Sequence, residues 1–206
     1  MLADFVADLE AVVDAAELDR FALYGTSQGA PIAISYAVRH PERVSHLILH
    51  GGYATGRNLR ESDAEREQGD AILALMRHGW GKVGSPFIQA FTAMYIPDAT
   101  REQIDSVVDL QAQTVSPENA VALRTAVDNF DVSDLLEKVI VPTLVFHARN
   151  DGVHPLDEGR KLASGIKNAE FILLDSANHA LLHQEPAWDR LFEAIREFVA
   201  AGDPDG

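Results

Sequence analysis

The sequence predicts an α/β protein, a mostly parallel sheet flanked by helices with a helical insertion over it. Three observations lead there. Short apolar runs alternate with amphipathic helices at both ends of the 206-residue chain, and such alternation implies parallel pairing through right-handed crossovers. Between those ends, the stretch from Tyr53 to Lys138 reads as helix, with no strand of comparable quality. A glycine-flanked serine turn, Gly25-Thr26-Ser27-Gln28-Gly29, stands where the first strand should feed a helix. Residues 1–52 and 139–206 are therefore assigned to one core, and residues 53–138 to the insertion.

The elements follow in order. Leu2, Phe5, Val6, Leu9, Val12, Val13 and Ala16 recur at spacings of three and four, with acids between them, so the chain opens on a helix ending near Glu17. Phe21 to Tyr24 is a short apolar run bounded by Gly25 and reads as a buried strand. A helix is expected from Ala30 to His40, with Pro31 in its first turn and Pro41 stopping it. Val44 to Leu49 is the next strand, ended by Gly51-Gly52. The insertion is punctuated by Gly79-Trp80-Gly81, Gly84-Ser85-Pro86, Pro97 and Ser116-Pro117. Val139 to His147 and Phe171 to Leu174 read as strands, and Trp188 to Val199 repeats at helical spacing.

Composition removes several function classes. Lys+Arg number 17 against 32 Asp+Glu, a formal net charge of −15. Nucleic acids and anionic membranes are both held largely by Lys and Arg, so neither is an expected partner. No apolar run approaches the ~20 residues that span a bilayer. The absence of cysteine excludes disulfides, a thiolate nucleophile and thiolate metal sites. Acids crowd the chain before Arg20, the reverse of a signal peptide, so a cytoplasmic location is expected. His46 and His50 are no metal pair, because four residues on a strand separate them by roughly 13 Å. No phosphate loop, redox motif or metal-ligand cluster is present, and neither cofactor nor metal is expected; the expected partner is a small-molecule substrate.

The serine turn has the pattern G-x-S-x-G. Composition alone would produce it in roughly one protein in fifteen, so the pattern by itself is weak. Its place between strand and helix is what a nucleophile elbow requires: the central serine is forced into a strained conformation, and side chains at Gly25 or Gly29 should collide with neighbouring elements. A serine needs a base to take its proton and an acid to orient that base. Asp151 follows the Val139–His147 strand and His179 follows the Phe171–Leu174 strand, and parallel strands deliver their C-terminal ends to one edge. Asp157 and Asp175 are the less well placed acids, and His183 and His154 the substitute bases. Asn150-Asp151-Gly152 also suits an ordinary turn. Trp80, Phe87, Phe91, Met94 and Tyr95 could line an acyl pocket or simply form the core of the insertion.

The stretches DRFALYGTSQGAPIAISYAVRHPERVSHLILHGG, VPTLVFHARNDGVHP and LLDSANHALLHQEP resemble the nucleophile, acid and histidine segments of α/β-hydrolase-fold enzymes. The resemblance covers both ends of the chain and implies a partial α/β-hydrolase fold with residues 53–138 as its helical cap. It implies Ser27 as nucleophile, Asp151 as orienting acid, His179 as base, and the Gln28 backbone N–H as one oxyanion donor. Two positions depart from the family: Thr26, where many relatives have His, and Asn178, where Gly commonly precedes the histidine.

The family also carries strands before the nucleophile strand. At about 30 residues per βαβ unit these need roughly 60 or more residues ahead of Met1. Either a missing N-terminal segment or a homo-oligomer is then expected to cover the Phe21–Tyr24 edge, and the family's other oxyanion donor has no source before Ser27. The resulting expectation is a serine hydrolase that cleaves a small or medium ester through an acyl-enzyme. The alternative is a non-catalytic, regulatory ligand-binding module on the same fold.

Overall fold

The computed structural model describes residues 1–82 and 85–201. Gly84, read above as part of a helix break, and residues 202–206 lie outside them. In chain order the elements are α1 (Leu2–Ala15), β1 (Phe21–Thr26), α2 (Gly29–Arg39), β2 (Val44–His50), α3 (Asp63–Gly79), α4 (Pro86–Tyr95), α5 (Arg101–Thr114), α6 (Pro117–Val127), β3 (Thr143–Ala148), α7 (Leu156–Gly165), β4 (Ala169–Leu174) and α8 (Pro186–Ala201), with short 3-10 turns at Arg57–Leu59 and Ser133–Lys138. The strands form one sheet in the order β1-β2-β3-β4. Every neighbouring pair is parallel.

Strand periodicity sorts the apolar side chains onto two faces. Leu47, Leu49 and Val145 pack with Val6 and Val13 of α1, Ile34 of α2, and Leu162 of α7. Ile48, Leu144, Phe146 and Leu174 point the other way and are covered by Leu191 and Ala194 of α8. All six residues of β3 are buried, as a strand with neighbours on both sides and helices on both faces requires.

β1 is an edge strand, with one neighbour among the described residues. Its Ala22, Tyr24 and Thr26 are exposed and line a groove of about 520 Å³ together with Trp188, Leu191 and Phe192. The strand therefore differs from the buried run its composition suggests, and it continues past Tyr24 because Gly25 and Thr26 stay in register with Leu49 and His50. At the other end of the sheet's long crossover, β3 begins at Thr143 rather than Val139. Pro142 lacks an N–H to extend the ladder, although its carbonyl still accepts from Leu47 N at 2.8 Å. α1 stops at Ala15, and Glu17 turns the chain at φ 54.

Residues between β2 and β3 form the four helices α3 to α6. Ser62, Thr100 and Ser116 cap α3, α5 and α6 by accepting from backbone N–H groups of their first turns. The helices enclose an apolar cluster of their own containing Ile72, Met76, Trp80, Ile88, Phe91 and Ala120. An isolated antiparallel bridge, Thr55 to Asp131, joins the two ends of this segment. The cluster sits beyond the C-terminal ends of the strands, where the residues after β1, β3 and β4 converge. Among the described residues no helix is long and apolar enough to cross a membrane.

Candidate active site

Ser27 follows β1 directly and holds φ at 51, a left-handed conformation that a β-carbon disfavours and a sharp strand-to-helix turn imposes. Its N–H donates to His50 O at 2.9 Å, and its carbonyl accepts from Ala30 N at 3.0 Å. The turn is possible because a Cβ at Gly25 would lie 2.7 Å from Gly29 O and 2.8 Å from the Ala33 Cβ. The collision expected at Gly29 does not arise, since a Cβ there would meet nothing within 4 Å. The crowding in this elbow is made by the Gly29 carbonyl against Gly25, so only one of the two glycines is sterically required. Gln28 forms the N-cap of α2, and no hydrogen bond within the described residues engages its backbone N–H.

Asp151 and His179 come together. Asp151 Oδ2 lies 2.7 Å from His179 Nδ1, and Oδ1 accepts from Val153 N at 2.7 Å and His154 N at 3.1 Å. The carboxylate is wholly buried and the imidazole nearly so. The histidine loop is also pinned from above, because His179 N and Ala180 N both donate to Tyr95 O at the end of α4. Asn178, one of the departures from the family pattern, serves the same attachment: its Oδ1 accepts from Asp98 N at 3.0 Å and its Nδ2 donates to Glu185 Oε1 at 3.1 Å. His179 Nε2 is buried and without a partner, so no Ser27–His179 hydrogen bond is formed. Gly51, at φ 57, lets the chain turn against the ring; a Cβ there would lie 3.0 Å from His179 Cε1.

The substitutes fall elsewhere. Asp157 and Asp175 are on the surface, paired with Arg160 and Arg149, and His183 is exposed. His154 is buried and stacks edge-on against the His179 ring at 5.5 Å, but its Nδ1 faces Arg60 Nη2 at 3.4 Å. His46 packs on Phe198, while His50 Nδ1 meets the Tyr24 hydroxyl at 2.7 Å. Among the described residues no cluster of three or more His, Asp or Glu could hold a metal ion.

Burial and charge decide the protonation of this region. Burial pushes Asp151 upward, but the hydrogen bond and charge of His179, with the backbone N–H groups of His154 and Val153, outweigh it and hold the carboxyl below its usual value. Burial pushes His147 down, and its Nε2 donates to His154 O at 3.1 Å. His154 is driven well below the usual imidazole value by burial, then by His179 and the guanidiniums of Arg60, Arg57 and Arg124. Burial pushes His50 down to about 4.

A stability prediction follows from the sign of these shifts. A histidine whose pKa is depressed by folding binds its proton more tightly in the unfolded chain. The unfolded state therefore carries more protons between about pH 6.5 and the folded value, and stability falls as pH falls through that window. For His50 alone the loss between pH 7 and pH 5 is about 2 kcal/mol, with His147 and His154 adding in the same direction. The urea midpoint should drop on going from pH 7 to pH 5, and less steeply in His50→Gln; equal midpoints at the two values would refute this assignment.

A cavity of about 170 Å³ opens between Gln28 and Arg124, with Trp80, Phe91 and Tyr95 in its wall. Tyr95 also meets the His179 ring edge-on at 5.5 Å. Two of the five aromatic and Met candidates lie outside the lining. Phe87 packs toward Gly79, where an added Cβ would come within 3.0 Å of its ring, and Met94 backs the same apolar cluster. Sequence reasoning missed the buried charged and polar residues Arg57, Arg60, Arg124, Asp128, His147 and Glu158. The available signal was a scarce basic residue set among apolar neighbours, as in Ala122-Leu123-Arg124-Thr125-Ala126.

Comparison with known proteins places these observations in a wider set. The family model described as alpha/beta hydrolase fold matches residues 2–186. A 2-hydroxy-6-oxononadienedioate/2-hydroxy-6-oxononatrienedioate hydrolase of Cupriavidus pinatubonensis is 27% identical over 186 residues, covering 83% of this chain and 60% of that protein. A pimeloyl-[acyl-carrier protein] methyl ester esterase of Neisseria meningitidis is 29% identical, covering 95% of this chain and 76% of its own. The chain thus spans 60% of the length of the first of these curated relatives. Among solved structures, an esterase from Exiguobacterium antarcticum superimposes with a TM-score of 0.81 at 21% identity, over 95% of this chain and 72% of that one.

Proposed function

Because the chain belongs to the alpha/beta hydrolase fold family, we propose that it acts as a serine hydrolase on a small or medium ester or related acyl bond. The observation that carries this reading is the buried Asp151–His179 pair, with His179 Nε2 unengaged at the sheet edge where Ser27 is held in a strained elbow. That one relative is named a methyl ester esterase supports an ester as the substrate class.

In the proposed reaction Ser27 Oγ attacks the ester carbonyl carbon while His179 Nε2 takes the hydroxyl proton. Asp151 keeps the other ring proton on Nδ1 and stabilises the imidazolium that forms. The carbonyl oxygen, now carrying the electron pair, receives the Gln28 N–H at the positive end of α2. Collapse of the tetrahedral species breaks the bond to the alkoxy group, which leaves with the proton from His179. Water, deprotonated by the same histidine, then releases the acid and restores Ser27. Trp80, Phe91 and Tyr95 exclude solvent from the acyl chain.

Intact-mass analysis after exposure to a fluorophosphonate probe tests the nucleophile. The expected result is a single covalent adduct on the chain and none on Ser27→Ala. A folded chain that takes up no label would overturn the reading in favour of the non-catalytic, ligand-binding module.

A further inference from the structure

The cavity beside Gln28 is apolar along most of its wall, yet a guanidinium stands in it. Arg124 is 8% exposed and lines the cavity with Leu123 and Val127. Its Nε donates to Asp128 Oδ2 at 2.7 Å, whereas its Nη2 is buried without a partner. A second guanidinium, close enough to feel the Arg124 charge, is under-partnered as well. Arg57, 5% exposed, donates through Nη2 to Val153 O at 3.0 Å, while its Nε and Nη1 have no partner. The third guanidinium of the group, Arg60, is by contrast paired with Glu65 at 3.0 Å and Glu158 at 3.7 Å. No ion pair among the described residues involves Arg57.

A buried guanidinium is tolerated where its charge and its five N–H donors are answered. Arg60 meets that condition; Arg124 meets it through Asp128 on one edge, and Arg57 only through the Val153 carbonyl. A leftover donor edge in an apolar wall suits a planar anion that accepts two hydrogen bonds, because carboxylate and guanidinium match in shape as well as charge. The strongly acidic surface makes the contrast sharper, since 17 basic residues serve the whole chain and three guanidiniums lie under one group of helices. The Tyr95 hydroxyl shares this environment: burial pushes its pKa up, while the Arg124 and Arg57 charges and a side-chain hydrogen bond with Arg124 pull against it.

We propose that Arg124, backed by the positive charge of Arg57, is a carboxylate-binding subsite, and that the preferred substrate is an ester whose acyl chain ends in a free carboxylate. This inference deepens the serine hydrolase reading and rests on it for the scissile bond, though the anion site itself does not depend on turnover. In this proposal the ester carbonyl sits at Ser27 and Gln28 and the carboxylate at Arg124, Gln28 and Arg124 both lining the one cavity.

The test compares monomethyl adipate, which is anionic, with dimethyl adipate, which is neutral. Hydrolysis is measured on the chain itself, and equilibrium binding by calorimetry on Ser27→Ala. Replacing Arg124 alone would strand Asp128, so the probe variant is Arg124→Gln/Asp128→Asn, with Arg57→Gln as a second variant that leaves that pair intact; circular dichroism verifies folding of both. The monoanion is expected to be preferred by the parent chain. That preference, the ratio of kcat/KM for the monoanion to that for the diester, should fall by on the order of ten- to a hundredfold in the double variant, and in the same direction in Arg57→Gln. Hydrolysis of both esters with no preference, or a preference that survives both variants, would overturn the subsite and leave the hydrolase reading standing. Arg124-dependent binding of the monoanion without hydrolysis would support the subsite and count against the hydrolase reading. A folded chain that neither binds nor hydrolyses either ester would overturn both.

Discussion

Asp151→Asn is expected to lower ester turnover on the order of ten-thousandfold while leaving the fold intact. The reason lies in the two different duties of the carboxylate. Oδ1 accepts from the Val153 and His154 N–H groups, and Oδ2 faces His179 Nδ1. An asparagine has one accepting oxygen and one donating NH₂. The backbone donors claim the oxygen, so the NH₂ must point at Nδ1. His179 is then obliged to accept there and to carry its proton on Nε2, the atom that should receive the serine proton. The variant therefore keeps an imidazole in place but in the wrong tautomer. Two measurements check it: kcat on a chromogenic ester, and imidazole nitrogen NMR, which should report the move of the His179 proton from Nδ1 to Nε2. A loss of less than tenfold with an unchanged tautomer would sink the assignment.

The largest expected effect on stability is at Phe146. The side chain is 0% exposed, sits on the interior strand β3, and packs with Ile48, Leu144 and Leu174 and edge-on against His50 at 6.5 Å. Phe146→Ala removes most of an aromatic ring from a place walled by sheet and α8, which cannot collapse far. The expected loss is about 3–5 kcal/mol, against a total of ~5–15 kcal/mol for a typical domain. Phe146→Leu, which keeps most of the volume, should cost clearly less. Urea unfolding of the three chains decides it, and a loss under ~1 kcal/mol for the alanine variant would mean that the ring is not buried as described.

Much of the scaffold was legible in the sequence because its signals are local. Short apolar runs ended by glycines marked β1 and β2 in nearly their observed positions, and the delivery of serine, aspartate and histidine to one edge followed from parallel topology. What local pattern could not supply was contact between distant segments. The run Val139–His147 looks uniformly β-branched, yet only the pairing with β2 and β4 shows that the ladder starts after Pro142. Gly29 looks as constrained as Gly25, yet the elbow leaves open space on its side. Arg57 and Arg124 lie far apart along the chain, and the two segments meet where Asn58 N donates to Asp128 O at the end of α6. Helical periodicity within residues 53–138 identifies faces, not their partners, so the choice of Trp80, Phe91 and Tyr95 over Phe87 and Met94 required the folded arrangement.

The carbonyl of Tyr95 holds both His179 N and Ala180 N, so the last residue of α4 is at once a wall of the cavity and the peg on which the base hangs. The wall of the cavity and the loop that carries His179 thus share one backbone anchor, so a substitution that shifted the end of α4 would be felt at both.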